Sequence, residues 1–127
     1  MLDNYGAEIS LTTRVQRYGD LKSEYLGKWR ITEMGAWDED YVDMVVPGHF
    51  TVTKNGGEME FGVVSCELDC RVEEFAGIER LEFSFLGMDE GDEVSGRGWA
   101  VIEENLLKGH IYFHYGDDSG FSARKHT

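Results

Sequence analysis

The sequence predicts an all-β fold: about eight antiparallel strands in up-and-down order, closing into a calycin-like barrel. Three observations carry that reading. Apolar and polar residues alternate with a period of two from Trp29 to Ala123, the spacing of a strand with one buried face. Sixteen glycines and one proline are spread between short apolar runs, as many turns require. The order of the runs is simple, with tight turns between them, so neighbours in sequence can pair as hairpins. Closure would remove exposed strand edges. A two-sheet β-sandwich satisfies the same pattern and stays open.

The chain has 127 residues, enough for one domain with a core that needs no metal or disulfide. Residues 1–26 lack a clean period, and "LTTRVQRYGDLKSEYLG" is interrupted by Gly19. They read as a poorly ordered or short helical lead-in, and residues 27–127 as a single barrel domain.

Each run then contributes a strand. "KWRITEM" sets Trp29 and Ile31 on one face. "AWDEDYVDMVVPG" is acidic and ends at Pro47-Gly48, the mark of a loop with at most one helical turn. "HFTVTK" turns Phe50 and Val52 inward, and Asn55-Gly56-Gly57 is a hairpin signal. "EMEFGVVS" aligns Met59, Phe61 and Val63. "CELDCRVEEF" alternates most cleanly, with Cys66, Leu68, Cys70 and Val72 facing one way. "RLEFSFLG" contributes Leu81, Phe83 and Phe85; "MDEGDEVSG" reads as an acidic loop; "RGWAVIEE" contributes Trp99 and Val101. "KGHIYFHY" and "FSARK" close the set. The core or lumen lining expected from these stripes is Trp29, Ile31, Phe61, Phe83, Phe85, Trp99 and Phe113. So many large rings favour a filled interior over a ligand cavity.

Formal net charge is −13, from 25 acids and 12 bases. Such a surface repels phosphate backbones and anionic membranes, so no nucleic-acid or membrane partner is expected. It suits solubility, a basic protein partner or a homo-oligomer. No apolar run reaches the roughly 20 residues of a membrane helix. "MLDNYGAEISLTTR" lacks the basic and apolar regions of a secretory leader, so a cytoplasmic location is expected. Cys66 and Cys70 lie four residues apart in an extended run. That separation is roughly 13 Å, too far to bridge, so both are expected as free, buried thiols.

Candidate chemistry is sparse. In "HIYFHYGDDSGF", His110 and His114 are too far apart along a strand to share a metal, and "GDDSG" has the composition of a turn. Ser119 lacks the G-x-S-x-G elbow of a hydrolase nucleophile. "WDEDYVD" and "MDEGDE" do not match the spacing of a calcium loop. The C-x₃-C spacing of the cysteines spreads them for zinc, and no G-x-G-x-x-G or P-loop signals a nucleotide. No catalytic, metal or cofactor residues are therefore assigned, and no cofactor is expected. The function expected is a non-enzymatic binding or interaction module. A carrier of a small apolar ligand in the barrel lumen is the alternative, and an enzyme of unknown class the second alternative.

Two resemblances extend this reading. Gly27-Lys28-Trp29 resembles the G-x-W that opens lipocalin and streptavidin-like calycin barrels. There the tryptophan closes one end, and a basic residue of the last strand packs across it. The resemblance gives Trp29 and Arg124 that role here, although Arg124 has the opposite parity to Phe121 and Ala123, so contact needs a bulge or a reach around the end. From Gly27 to Arg124, "GKWRI", "SGRGWA" and "HYGDDSGF" are similar to the G-x-W-R-I, S-G-R-G-W-A and H-x-G-D-D-S-x-F motifs of a family of small, uncharacterised bacterial proteins. That resemblance implies a shared fold and no chemistry.

Overall fold

A computed structural model describes residues 2–4, 6–7 and 24–126. Two short strands, β1 (Leu2–Asn4) and β2 (Gly6–Ala7), pair as a small ribbon. The barrel consists of β3 (Gly27–Met34), β4 (His49–Thr53), β5 (Gly56–Phe61), β6 (Val64–Phe75), β7 (Ile78–Asp89), β8 (Asp92–Glu103), β9 (Leu106–Phe113) and β10 (Asp118–Lys125). Each strand pairs antiparallel with the next, and β10 returns to β3, so the eight strands form a closed up-and-down barrel. The sandwich alternative is excluded. One short helix, α1 (Glu39–Val42), lies between β3 and β4. Among the described residues, no helix is long and apolar enough to cross a membrane.

The turns follow from residues that accept positive φ. Ala76-Gly77, Glu90-Gly91 and Glu104-Asn105 each hold both central residues there, the type I′ geometry that matches the twist of two-residue hairpins. Two boundaries differ from the sequence expectation. "EMEFGVVS" is not one strand: the chain reverses at Gly62-Val63, and β6 starts at Val64. Gly62 sits at φ +56, and a Cβ there would lie 2.2 Å from the Tyr41 ring, so tertiary packing requires glycine at that point. "MDEGDEVSG" is not a loop but the paired ends of β7 and β8 around Glu90-Gly91.

The core lies inside the barrel. Trp29, Ile31, Phe61, Phe83 and Phe85 are buried within it, with Phe50, Met59, Leu81, Leu107 and Ile111. Rings touch in a chain from Phe121 to Phe50 to Phe83, and again from Phe85 to Phe113 to Phe61.

Trp99 is not among the inward residues. Gly96, Gly98 and Ala100 occupy the inner face of β8, opposite Phe85, Phe83 and Leu81. A Cβ on Gly96 or Gly98 would lie 2.5 Å from the facing phenylalanine ring. Two large rings on β7 thus leave room only for hydrogen atoms on β8, and the register turns Trp99 and Val101 outward. The Trp99 ring instead receives the Arg80 guanidinium at 4.9 Å.

Barrel closure explains Arg124 as well. Between Ser122↔Glu33 and Ala123↔Ile31 the β10–β3 register slips by one residue, leaving Thr32 as a bulge. The bulge lets Met34 face inward alongside Trp29 and Ile31. Arg124 then pairs with Arg30 and is exposed, whereas Lys125 lies opposite Trp29. Its Nζ sits 4.4 Å from the centre of the Trp29 ring. The basic residue across the closing tryptophan is therefore Lys125, not Arg124.

The same end is sealed by Tyr25, which is buried, and whose carbonyl accepts the Trp29 Nε1–H at 3.0 Å. Tyr25 was part of the expected lead-in; packing against Trp29 fixes it in place. The rest of that expectation, for residues 1–23, falls outside the described residues apart from β1 and β2.

Candidate binding cleft at the barrel mouth

The end away from Trp29 is built differently. Here the 35–48 segment with α1 folds against the rim, where the β5–β6, β7–β8 and β9–β10 turns converge. Asp38 caps α1 by accepting the Tyr41 N–H at 3.0 Å, the standard way to satisfy a first-turn donor. Asp43 ends the helix and binds the Arg30 guanidinium through both oxygens, at 2.8 and 3.0 Å. It also accepts the Gly48 N–H. The hydrogen bonds from the Arg30 guanidinium hold the Asp43 carboxyl below the ordinary carboxylate range, since donors to the ionised form favour it. Val42 is buried, and the Tyr41 ring lies against Gly62. The segment is thus pinned as a fixed cap.

Trp37 occupies the centre of this cap. Its ring is 5.1 Å from Phe61, 6.1 Å from Phe113 and 6.3 Å from Tyr41, centre to centre. It is half-buried, one face on the core and the other toward a cleft of about 410 Å³. That size falls within the range of small-molecule sites. Tyr41, Phe113 and Tyr115 also line it. Asp89 and Glu93 come from the ends of β7 and β8, and Asp117 from the β9–β10 turn. None of these three carboxylates makes a side-chain hydrogen bond or ion pair among the described residues.

Of the remaining sequence candidates, only His114 borders the cleft. His110 points out from β9 and lies 2.6 Å from Asp118. Ser119 is buried, but its hydroxyl accepts the Ala36 N–H and donates to the Gly120 carbonyl. It serves to join the cap to β10, and His114 lies on the exposed turn. Cys66 and Cys70 are free and buried. Burial, aided by Asp89 and Asp69, pushes their thiols up to about 11 and about 12 respectively. They are shielded, un-ionised groups rather than nucleophiles. Trp99 and Val101 border a shallow outer depression floored by glycine backbone. Among the described residues, no group of three or more ligating side chains gathers as a metal site.

The sequence did not single out Trp37, Tyr41, Asp89, Glu93, Asp117 or Tyr115 as one site. They come from three stretches, "WDEDYVD", "MDEGDE" and "HYGDD", that sequence separates by dozens of positions. Each reads alone as a solvated acidic loop. Two of the runs carry aromatic residues, Trp37 and Tyr41 in the first and Tyr115 in the third, but only barrel closure brings the three to one rim.

Fold and cleft together define a class: a closed eight-stranded antiparallel barrel with a packed interior, a tryptophan-sealed end and a capped, cleft-bearing mouth. Comparison with protein-family models, curated proteins and solved structures finds no match.

Proposed function

We propose that the protein is a non-enzymatic binding module that takes its ligand at the capped mouth and not in the lumen. The observation that carries this is the division of aromatic residues. Phe50, Phe83 and Phe121 pack on one another inside the barrel, whereas half-buried Trp37 and exposed Tyr115 line the cleft. Exposed rings above a rigid scaffold supply contact area at little entropic cost. The cap supports the same reading, because bidentate Arg30–Asp43 pairing and the Gly62–Tyr41 contact hold the walls in place before any ligand arrives. The reading replaces the apolar carrier that would use the lumen.

Fragment screening by two-dimensional NMR on the whole chain tests this. Bound fragments should shift the Trp37 indole resonance and the amides of 89–95 and 113–117. Shifts centred on Phe83, Phe121 and Ile111 would restore the lumen reading and overturn this one.

A further inference from the structure

We infer that the mouth cleft selects an organic cation, an ammonium or guanidinium group on an apolar stem; this rests on the mouth being the binding site and specifies its ligand. The walls and the charge point the same way. Trp37, Tyr41, Phe113 and Tyr115 line the cleft, and aromatic faces attract a cation placed over them. Asp89, Glu93 and Asp117 add negative charge with no cation paired to them among the described residues. No lysine or arginine lines the cleft, and its one histidine, His114, has its ring 4.2 Å from that of Tyr115.

Tyr115 is the most telling of these residues. It is 98% exposed and sits at φ +60, a conformation that disfavours a residue with a Cβ. The turn holds it there: the His114 N–H bonds the Ser95 carbonyl at 2.7 Å, and the Gly116 N–H bonds the Phe113 carbonyl at 3.0 Å. A strained backbone that keeps an aromatic ring uncovered at a cleft is what a ligand clamp requires.

Competing ligand classes fit less well. An anion would meet three carboxylates on a chain of net charge −13. A neutral apolar molecule would strip water from those carboxylates and return no partner. A hard metal ion needs several converging oxygens, and among the described residues Asp89, Glu93 and Asp117 do not gather as a ligand set. A cation with an apolar stem satisfies both halves of the lining, with the rings taking the stem and onium face and the carboxylates the charge. The same chemistry is carried by a free amine and by a methylated lysine side chain, and the test separates them.

Three probes are titrated into the whole chain and followed by NMR shifts of the 89–95 and 113–117 amides, with the Trp37 indole as a further reporter where it is present: benzyltrimethylammonium, its neutral carbon isostere neopentylbenzene, and a short peptide containing trimethyllysine. The charged probes should bind at least about 10-fold tighter than the isostere, and more weakly as salt rises. Tighter binding of the peptide than of benzyltrimethylammonium assigns the cation to a protein side chain; the reverse assigns it to a free amine. Asp89→Asn with Glu93→Gln should remove most of the preference for charge, and Trp37→Ala should weaken every probe while Trp37→Phe preserves binding. Equal binding of the isostere and the ammonium would overturn the cation assignment and leave the mouth site intact. Shifts that avoid the mouth, or no shift with any probe, would overturn both.

Discussion

Replacing Trp29 should damage the protein far more than replacing Trp37, by an amount the structure allows to be worked out. Trp29 is 2% exposed, so Trp29→Ala removes a whole buried ring, at about 3–5 kcal/mol. The change also leaves the Tyr25 carbonyl without its indole donor, which adds about 1 kcal/mol. Lys125 would lose the ring beneath its ammonium, a smaller loss of about 0.5–1 kcal/mol. The total approaches the whole stability of a typical domain, about 5–15 kcal/mol. Trp37 rests on Phe61 with its other face open to the cleft, so Trp37→Ala should cost about half the ring's burial, roughly 1.5–2.5 kcal/mol. Trp29→Phe keeps most of the apolar contact and loses the indole N–H, at about 1–2 kcal/mol. Urea unfolding at 25 °C, followed by circular dichroism, measures all three. The midpoints should fall in the order Trp37→Ala above Trp29→Ala, with unchanged slopes. Equal costs for the two alanine variants, or a Trp29→Phe as damaging as Trp29→Ala, would refute the sealing role.

Gly98→Ala places a methyl group 2.5 Å from the Phe83 ring and 2.7 Å from the His110 carbonyl, so it should destabilise by about 1–3 kcal/mol; adding Phe83→Leu should recover part of the loss in the same urea assay, and additive costs would deny the contact. Above the ordinary thiol range of about 8.5, unfolded Cys66 and Cys70 ionise while the folded thiols, at about 11 and about 12, do not. Their contribution to stability is therefore full below that range and declines as pH rises through it; Cys66→Ala with Cys70→Val should flatten the decline in unfolding free energy from pH 9 to pH 11. Asp43 behaves oppositely: its carboxyl is held low by Arg30, so the stability it adds is present above the ordinary carboxylate value and lost as pH falls through the folded one. Asp43→Asn should lessen the acid dependence of unfolding and broaden the amide resonances of 37–42, and unchanged cap resonances would show that the ion pair does not hold the segment.

Much of the barrel was legible in the chain because a strand with one buried face writes its orientation into alternate residues. Trp29, Ile31, Phe83 and Phe85 are inward for that reason, and the hairpin turn just before Gly56 and the spread-out cysteines follow from local stereochemistry and reach. Where the pattern misled, the cause was a neighbour on another strand. Trp99 is the largest apolar residue of its strand, yet Phe83 and Phe85 across the ladder admit only glycine, so β8 shows its small side inward. Arg124 and Lys125 differ by one position, and only the Thr32 bulge at closure decides which of them meets Trp29. Gly62 looks like one more glycine inside an apolar run until the Tyr41 ring comes to lie on it.

The mouth cleft was the least legible part. Alternation describes how one segment meets one surface, and says nothing of which ends of which strands share a rim. The sequence by itself determined strand number, hairpin order, the sealed thiols and an acidic surface, all of which depend on neighbours close along the chain. The inward glycines, the bulge, the cap and the meeting of Trp37, Asp89 and Tyr115 were decided only by the tertiary structure. The glycines depend on the β7–β8 register, the bulge on closing β10 against β3, a pairing of residues 87 to 96 positions apart, and the cap and cleft on strand ends far apart in the chain, none of which a local period records.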